Sequence, residues 1–281
     1  AGRRAFQREN HAMSASPSPA EEVLATLPAL LPDLEAVYKD VHAHPELSMQ
    51  EHRTSTLAAD RLRAAGFEVA AGVGGTGVVG LLRNGAGPTV MLRADMDALP
   101  VREATGLDYA SRETAVDREG KSVPVMHACG HDMHVAWLLG AAALFARSRD
   151  AWRGTLLAVF QPAEETGEGA RAMIDDGLFG RFPKPDAILA QHVMVGPAGL
   201  LSSRPGVVTS AGDSLQIRMF GRGAHGSMPQ ASVDPVVMAA ATVLRLQTIV
   251  SREIAATESA VVTVGSLQAG TKENVIPDEA V

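Results

Sequence analysis

The amino-acid sequence predicts an α/β fold. One domain, residues 20–200, has a central, mostly parallel sheet flanked by helices, and an incomplete α+β unit follows over residues 201–281. Three observations lead there. Short apolar runs at residues 77–82, 89–92, 155–160 and 187–190 have strand length, and a long apolar helix separates the second from the third. Strand, helix, strand in that order is a parallel crossover, because the chain must pass back over one face of the sheet before the next strand begins. Past residue 200 the pattern changes to alternating, half-polar segments around one further helix. With 281 residues, 46% of them hydrophobic, the chain has enough apolar mass for one large core and a smaller one.

Taken in order, residues 1–19 are polar, carry Arg3, Arg4 and Arg8, and lack the apolar run of a signal peptide. They read as a disordered tail, with Met13 a candidate start. Residues 21–38 place Leu24, Leu27, Leu31, Leu34 and Val37 at helical spacing, interrupted by Pro28 and Pro32. A second helix covers about residues 50–65 and stops at Gly66, a C-cap signal. Strands at 77–82 and 89–92 follow, the latter running into Arg93-Ala94-Asp95-Met96-Asp97. Residues 104–123 are polar and irregular. His127 to His134 is a dense His/Cys/Asp motif that opens an apolar helix to about residue 146. Strand 155–160 leads into Gln161-Pro162-Ala163-Glu164-Glu165. A short helix, 170–176, is closed by Gly177, and strand 187–190 ends at Gln191-His192. In the second unit, 214–220 and 260–267 read as strands. Between them, residues 221–226 form a glycine-rich turn, and Asp234-Pro235 caps and starts a helix to about residue 249.

Composition excludes several classes of function. The net charge is −7 and the folded part has no basic run, so nothing draws the chain to nucleic acid. No apolar run is long enough to span a membrane. Cys129 is the sole cysteine, which excludes an intrachain disulfide and suits a reducing, cytoplasmic setting.

In open parallel sheets, active sites gather beyond the carboxyl ends of the strands. Asp95, Glu164, Glu165 and His192 all fall just past predicted strand ends. Cys129 and His131 are two residues apart, so in extended backbone both side chains point the same way. Thiolate and imidazole are good ligands for zinc and similar ions. The plain alternative is a buried cysteine beside helix-capping histidines. In extended backbone Glu164 and Glu165 diverge, which lets one bind metal while the other acts as general base; alone, such a pair is usually a solvated surface feature. Asp95 and Asp97 are placed to bridge metals, to orient a ligating histidine, or merely to cap a turn. His192 offers one more ligand, or a structural histidine. Together these residues supply a metal-ligand set with a spare carboxylate on one sheet edge, the arrangement for hydrolysing an amide with an activated water. A cysteine nucleophile needs a base and an orienting group around an activated thiolate, and the metal-like spacing of Cys129 argues against it.

All of these residues but His192 fall within a series of six ordered motifs: His42-Ala43-His44-Pro45-Glu46-Leu47-Ser48, residues 92–100, residues 127–134, residues 160–165, residues 223–229 and Asn274-Val275-Ile276-Pro277-Asp278. Together they resemble the M20 metallopeptidase family, most closely its amidohydrolase branch of hippurate hydrolases, N-acyl-amino-acid amidohydrolases and auxin-conjugate hydrolases. The likeness covers about residues 20–281. It implies a catalytic domain with an inserted, ferredoxin-like α+β lid that also forms a homodimer. It further implies two divalent ions (zinc, manganese, cobalt or nickel) and a small N-acyl amino acid as substrate. By position, Cys129, His131, Glu165 and His192 correspond to metal ligands, Glu164 to the general base and Asp95 to a supporting aspartate. His225 corresponds to a lid histidine for the substrate carboxylate or oxyanion, often supplied across the dimer, and Asn274 to a lid residue near the substrate. A dipeptidase, an N-acetyl-diaminopimelate deacetylase or a non-catalytic, truncated paralogue that only binds ligand or dimerises are the other readings. The family adds a final metal-binding histidine after its lid, and no histidine follows His225. The resemblance therefore implies incomplete coordination and little activity for residues 1–281 as they stand.

Overall fold

In a computed structural model of the chain, residues 17–209 and 211–281 are described; most of the expected tail lies outside the described residues. Contacts divide the chain into two units, Ala1–Ala198 and Gly199–Val281, each taken by itself below.

The first unit opens on a capping box. Ser18 Oγ accepts from the Glu21 backbone N–H (3.3 Å) while the Glu21 carboxylate accepts from the Ser18 N–H (2.7 Å), which starts α1, Pro19–Leu24. The helical stretch expected at 21–38 is in fact two helices, with α2 covering Leu27–Ala43. Pro28 sits in the first turn of α2, where its missing N–H costs nothing, and Pro32 is carried inside. Helix α3, His52–Ala64, begins where the Glu46 carboxylate accepts from the backbone N–H groups of Arg53 and Thr54, both at 2.8 Å. It stops at Gly66, whose φ of +84° is the left-handed exit that glycine takes without strain.

The sheet contains β1 (Glu68–Val73), β2 (Gly77–Asn84), β3 (Thr89–Asp95), β6 (Gly154–Gln161) and β7 (Ala187–Ala190). The spatial order is β1-β2-β6-β3-β7. Strands β6, β3 and β7 are parallel, while β2 is antiparallel to both β6 and β1, so four of the five point the same way. Strand β1 is absent from the sequence reading because its small, half-exposed residues form no apolar run. Residues 104–123, read as irregular, lie around a small hairpin of β4 (Thr114–Val116) and β5 (Ser122–Pro124), whose strands are too short to leave a period.

Alternation along the strands builds two cores. Val78 and Leu82 of β2, with Leu156, Ala158 and Phe160 of β6, pack under α2, α3 and α4 (His131–Arg147). Val79, Leu81, Leu157 and Val159 face the other way, toward Met173 of α5 (Gly169–Asp175) and Leu178 of α6 (Leu178–Arg181). Gly177 ends the first of these short helices and N-caps the second. Because α4 crosses over between the parallel strands β3 and β6, its N-terminus returns to their carboxyl edge.

A buried charged triad ties that N-terminus to the rest of the unit. His42 Nδ1 lies 2.6 Å from Asp132 Oδ2, and its Nε2 lies 3.1 Å from Glu103 Oε1. All three side chains are nearly inaccessible. The Asp132 carboxylate, with Glu103 behind it, pushes His42 from an ordinary 6.5 up to about 9 against the opposing effect of burial. A raised pKa means that the folded state binds the proton more tightly. The triad's contribution is therefore complete below pH 6.5 and is lost as pH rises through about 9. Replacing His42 by Gln leaves two buried carboxylates uncompensated, with an expected cost of about 3–5 kcal/mol near pH 6. Urea unfolding of both proteins at pH 6 and at pH 10 checks this: the gap must narrow at the higher pH, and an unchanged gap refutes a charged His42.

In the second unit α7, Pro235–Thr248, starts where Asp234 accepts from the Val236 and Val237 N–H groups. Two short antiparallel pairs accompany it: β9 (Ala224–His225) with β10 (Val275–Ile276), and β8 (Met219–Phe220) with β11 (Glu279–Ala280). The strand expected over 214–220 shrinks to its last two residues, and no strand forms at 260–267. An alternating pattern specifies a strand only if a partner accepts its backbone bonds. Among the described residues 214–218 and 260–267 have no ladder, and Leu215 and Val261 stand 82% and 86% exposed.

Candidate metal centre

Parallel strands β3, β6 and β7 end at one edge, with Asp95 beside Gln161 and Arg93 beside Ala190 in register. The residues that follow these ends, with the segment entering α4, bring six of the expected site residues together. Gly130 makes the entry possible. Its φ is +80°, and a Cβ there would stand 3.1 Å from Val193. Its neighbours Cys129 and His131 are thereby turned toward the strand ends.

Two histidines, one buried and one exposed, turn a ring nitrogen to this edge. His131 is fully buried and its Nδ1 donates to the Asp97 carbonyl at 2.8 Å, so its Nε2 is the ring nitrogen left facing the gap. His192 Nδ1 donates to the Val193 carbonyl at 2.7 Å, and its Nε2 lies 3.4 Å from Cys129 Sγ. From His131 Nε2 the distances are 3.9 Å to Glu165 Oε1, 3.9 Å to Glu164 Oε2 and 3.8 Å to Asp95 Oδ1. Cys129, His131 and His192 form one set of converging donors, and His131, Glu164 and Glu165 another.

The donors suit a divalent cation. His131 Nε2 and Glu165 Oε1 are buried and have no hydrogen-bond partner, which is costly unless something positive lies between them. Two donors each about 2.0–2.2 Å from one ion can lie up to about 4 Å apart, which matches the 3.9 Å measured. Burial, then the Glu165 and Glu164 charges, push the Cys129 thiol up to about 11. With protein groups alone the site is thus too negative for a thiolate, and a cation reverses that. Burial likewise raises the Glu165 carboxyl. For His131, burial favours the neutral ring, but Asp97 and Asp95 outweigh it and raise the group overall.

Asp95 supports rather than faces the gap. Its Oδ1 accepts from His134 Nδ1 at 2.6 Å and its Oδ2 from Arg93 at 2.7 Å. Burial acts against its charge, yet His134 and Arg93 hold its carboxyl well below the usual range. His134 itself is saturated, since its Nε2 accepts from the Val193 N–H at 2.9 Å.

Of the places the sequence leaves open for Asp97, the structure gives it the orienting one. Its Oδ2 accepts from Ser48 Oγ (2.6 Å) and from the Glu165 N–H (3.0 Å), so it orients both His131 and Glu165. The sequence signal was there, in the i, i+2 spacing from Asp95. His225 and Asn274 lie together in the second unit. His225 pairs with Val275, its Nδ1 lies 2.8 Å from Ser227 Oγ, and the Asn274 carbonyl accepts from the Gly226 N–H at 2.8 Å.

Comparison with known proteins points the same way. A family model described as Peptidase family M20/M25/M40 matches residues 91–274. The hippurate hydrolase of Campylobacter jejuni is 42% identical over 88% of this chain and 62% of its own length. Thermostable carboxypeptidase 1 of Saccharolobus solfataricus is 39% identical over 87% of this chain and 60% of its own. A dinuclear metal binding peptidase of Bacillus subtilis, 32% identical, aligns with a TM-score of 0.65 over 90% of this chain and 63% of its own. The chain therefore spans about 60% of the length of these relatives. Among the described residues no helix is long and apolar enough to cross a membrane.

Proposed function

The chain belongs to Peptidase family M20/M25/M40, and from that premise we propose that it serves metal-dependent hydrolysis of the amide bond in small N-acyl amino acids. One observation carries the reading: Cys129, His131 and His192 converge as one set of donors and His131, Glu164 and Glu165 as another, while the Nδ1 atoms of both histidines are tied to backbone carbonyls. Cys129, His131, Glu165 and His192 would hold the metal, as one or two ions of zinc, manganese, cobalt or nickel type. When bound, such an ion lowers the pKa of water and polarises a carbonyl.

The remaining work falls to the chain's own side chains. Glu164 takes the proton of the attacking water and returns it to the departing amine. Asp97 fixes the ring of His131 and the backbone of Glu165, and Asp95 does the same for His134. His225 and Asn274 are assigned to the substrate's carboxylate and oxyanion, within a lid that also forms the homodimer. Val237 and Leu244 of α7 stand exposed there. A reducing, cytoplasmic setting suits the ligand set, since an oxidised Cys129 is lost to the metal.

The two curated relatives suggest the substrate class. A hippurate hydrolase and a carboxypeptidase both cut an amide whose nitrogen belongs to an amino acid with a free carboxylate. A metal-loaded preparation of the full-length protein, assayed against N-benzoylglycine, N-acetyl amino acids, N-acetyl-diaminopimelate and dipeptides, decides the substrate class. Preference for the N-acylated monomers supports the reading. Preference for dipeptides replaces it with a dipeptidase, and no hydrolysis of any member removes the enzymatic reading of this chain.

A further inference from the structure

Among the described residues only two non-glycine residues have left-handed backbone, Met49 at φ 64° and Ala163 at φ 46°. They are 114 positions apart in sequence, yet both donate their backbone N–H to the same atom, Glu51 Oε1, at 3.0 Å and 2.7 Å. The other oxygen, Oε2, accepts from Thr76 Oγ. Glu51 is completely buried. A carboxylate is costly to bury, and three donors in fixed positions are what make it tolerable. Residues with a Cβ avoid left-handed backbone, so a segment held there records a constraint imposed from outside it.

That constraint acts on the turn that carries the two site glutamates. Ala163 directly precedes Glu164, and its carbonyl closes the turn by accepting from the Glu168 and Gly169 N–H groups at 3.2 Å and 3.0 Å. The turn is tight enough that a Cβ on Gly169 would overlap the Pro162 carbonyl at 1.5 Å. On the far side of Glu164, the Glu165 N–H is held by Asp97. Two buried carboxylates thus pin the backbone on both sides of Glu164.

We infer that Glu51 is a positioning residue that holds Ala163 in its left-handed conformation and thereby sets the directions of the Glu164 and Glu165 carboxylates. It touches neither the proposed ligands nor the substrate, so it acts through the turn alone. The inference rests on the metal-centre reading above. In the isosteric replacement Glu51→Gln, a neutral amide oxygen is a weaker acceptor than the carboxylate for the Met49 and Ala163 N–H groups and the N–H₂ faces the Thr76 hydroxyl, so the hold on the turn is loosened. The turn is then free to relax toward ordinary backbone.

The test is a cobalt(II) titration of the purified chain, followed by the thiolate charge-transfer absorption of Cys129, with amide exchange of the peptide spanning residues 161–168. Glu51→Gln is expected to weaken cobalt binding about 10- to 100-fold, the range for residues that orient ligands, and to speed exchange in that peptide. Adding Ala163→Gly to Glu51→Gln is expected to recover most of the affinity, because glycine adopts positive φ without strain. A role in core stability alone predicts the opposite, since the extra glycine loosens the chain further. If Glu51→Gln does not fold, Thr76→Val removes just one of the donors and should weaken cobalt binding in the same direction by a smaller factor. Cobalt affinity of the folded single variant within twofold of the unsubstituted chain overturns the inference, as does absence of rescue. If the unsubstituted chain shows no thiolate band at all, the metal-centre reading fails, and the role of Glu51 falls with it.

Discussion

In a metal-loaded, full-length protein, Glu164→Gln is expected to remove nearly all of the proposed hydrolysis of an N-acyl amino acid while leaving metal binding intact. The expectation follows from an asymmetry between neighbouring carboxylates. Glu165 is the more enclosed of the two, its backbone N–H is fixed by Asp97 and its Oε1 has no partner but the gap beside His131. Glu164 keeps 40% of its side chain exposed, and its Oε2 approaches the same His131 nitrogen at 3.9 Å. One carboxylate is therefore placed as a ligand, and the other stands between the ligands and solvent, where water and substrate arrive. Glutamine preserves shape and hydrogen-bonding reach but takes up no proton. Loss of a general base typically costs about 10²–10⁴-fold in rate, so kcat for N-benzoylglycine should fall by that factor with cobalt affinity within about twofold. Glu165→Gln should show the reverse order of effects, with metal affinity failing first. Turnover of Glu164→Gln at the unsubstituted rate would remove this residue from the reaction. Loss of cobalt from that variant would exchange the two roles.

Residue type and spacing leave open which of these carboxylates does what, and only the family resemblance assigned the roles, whereas their position was readable directly. Asp95, Glu164, Glu165 and His192 follow apolar strands, and parallel strands end at a common edge, so their gathering there was legible from order and period alone. The pair Cys129 and His131 was legible from its spacing. What remained hidden depends on bonds between distant segments. Asp97 reads as a metal bridge, an orienting residue or a turn cap until its contacts with Ser48 and Glu165 are seen. Glu51 lies at the start of a helix like any surface glutamate, and nothing local announces that its carboxylate meets Ala163, more than a hundred positions later. His134 looks as fit to bind metal as His131, yet both its nitrogens are already engaged. The same limit explains the strand expected at 214–220, which shrinks to its last two residues, and the one at 260–267, which does not form: alternation along a segment says which side faces in, not whether a partner strand is there to pair with it.

His131→Ala should cost more metal affinity than any other single change. His131 belongs to every group of converging donors found at this edge, and its ring is locked by the Asp97 carbonyl with Nε2 facing the gap. Removing it takes one corner from each possible coordination polyhedron, whereas removing His134 disturbs only the groups around Asp95. His134→Ala is thus expected to weaken cobalt binding by the ~10–100-fold typical of an orienting residue, and His131→Ala by more than that. Heat denaturation gives an independent measure. A metal present at about a hundred times its Kd stabilises the folded state by about 2.7 kcal/mol, so saturating cobalt should raise the melting temperature of the unsubstituted chain and of His134→Ala. His131→Ala, compared with its own metal-free form, should gain almost nothing. That comparison cancels the cost of the cavity left by the missing ring, because both measurements are made on the same variant. A cobalt-dependent rise in His131→Ala equal to that of the unsubstituted chain would mean that the metal sits elsewhere. The buried, unpartnered nitrogen at the strand ends would then need another explanation.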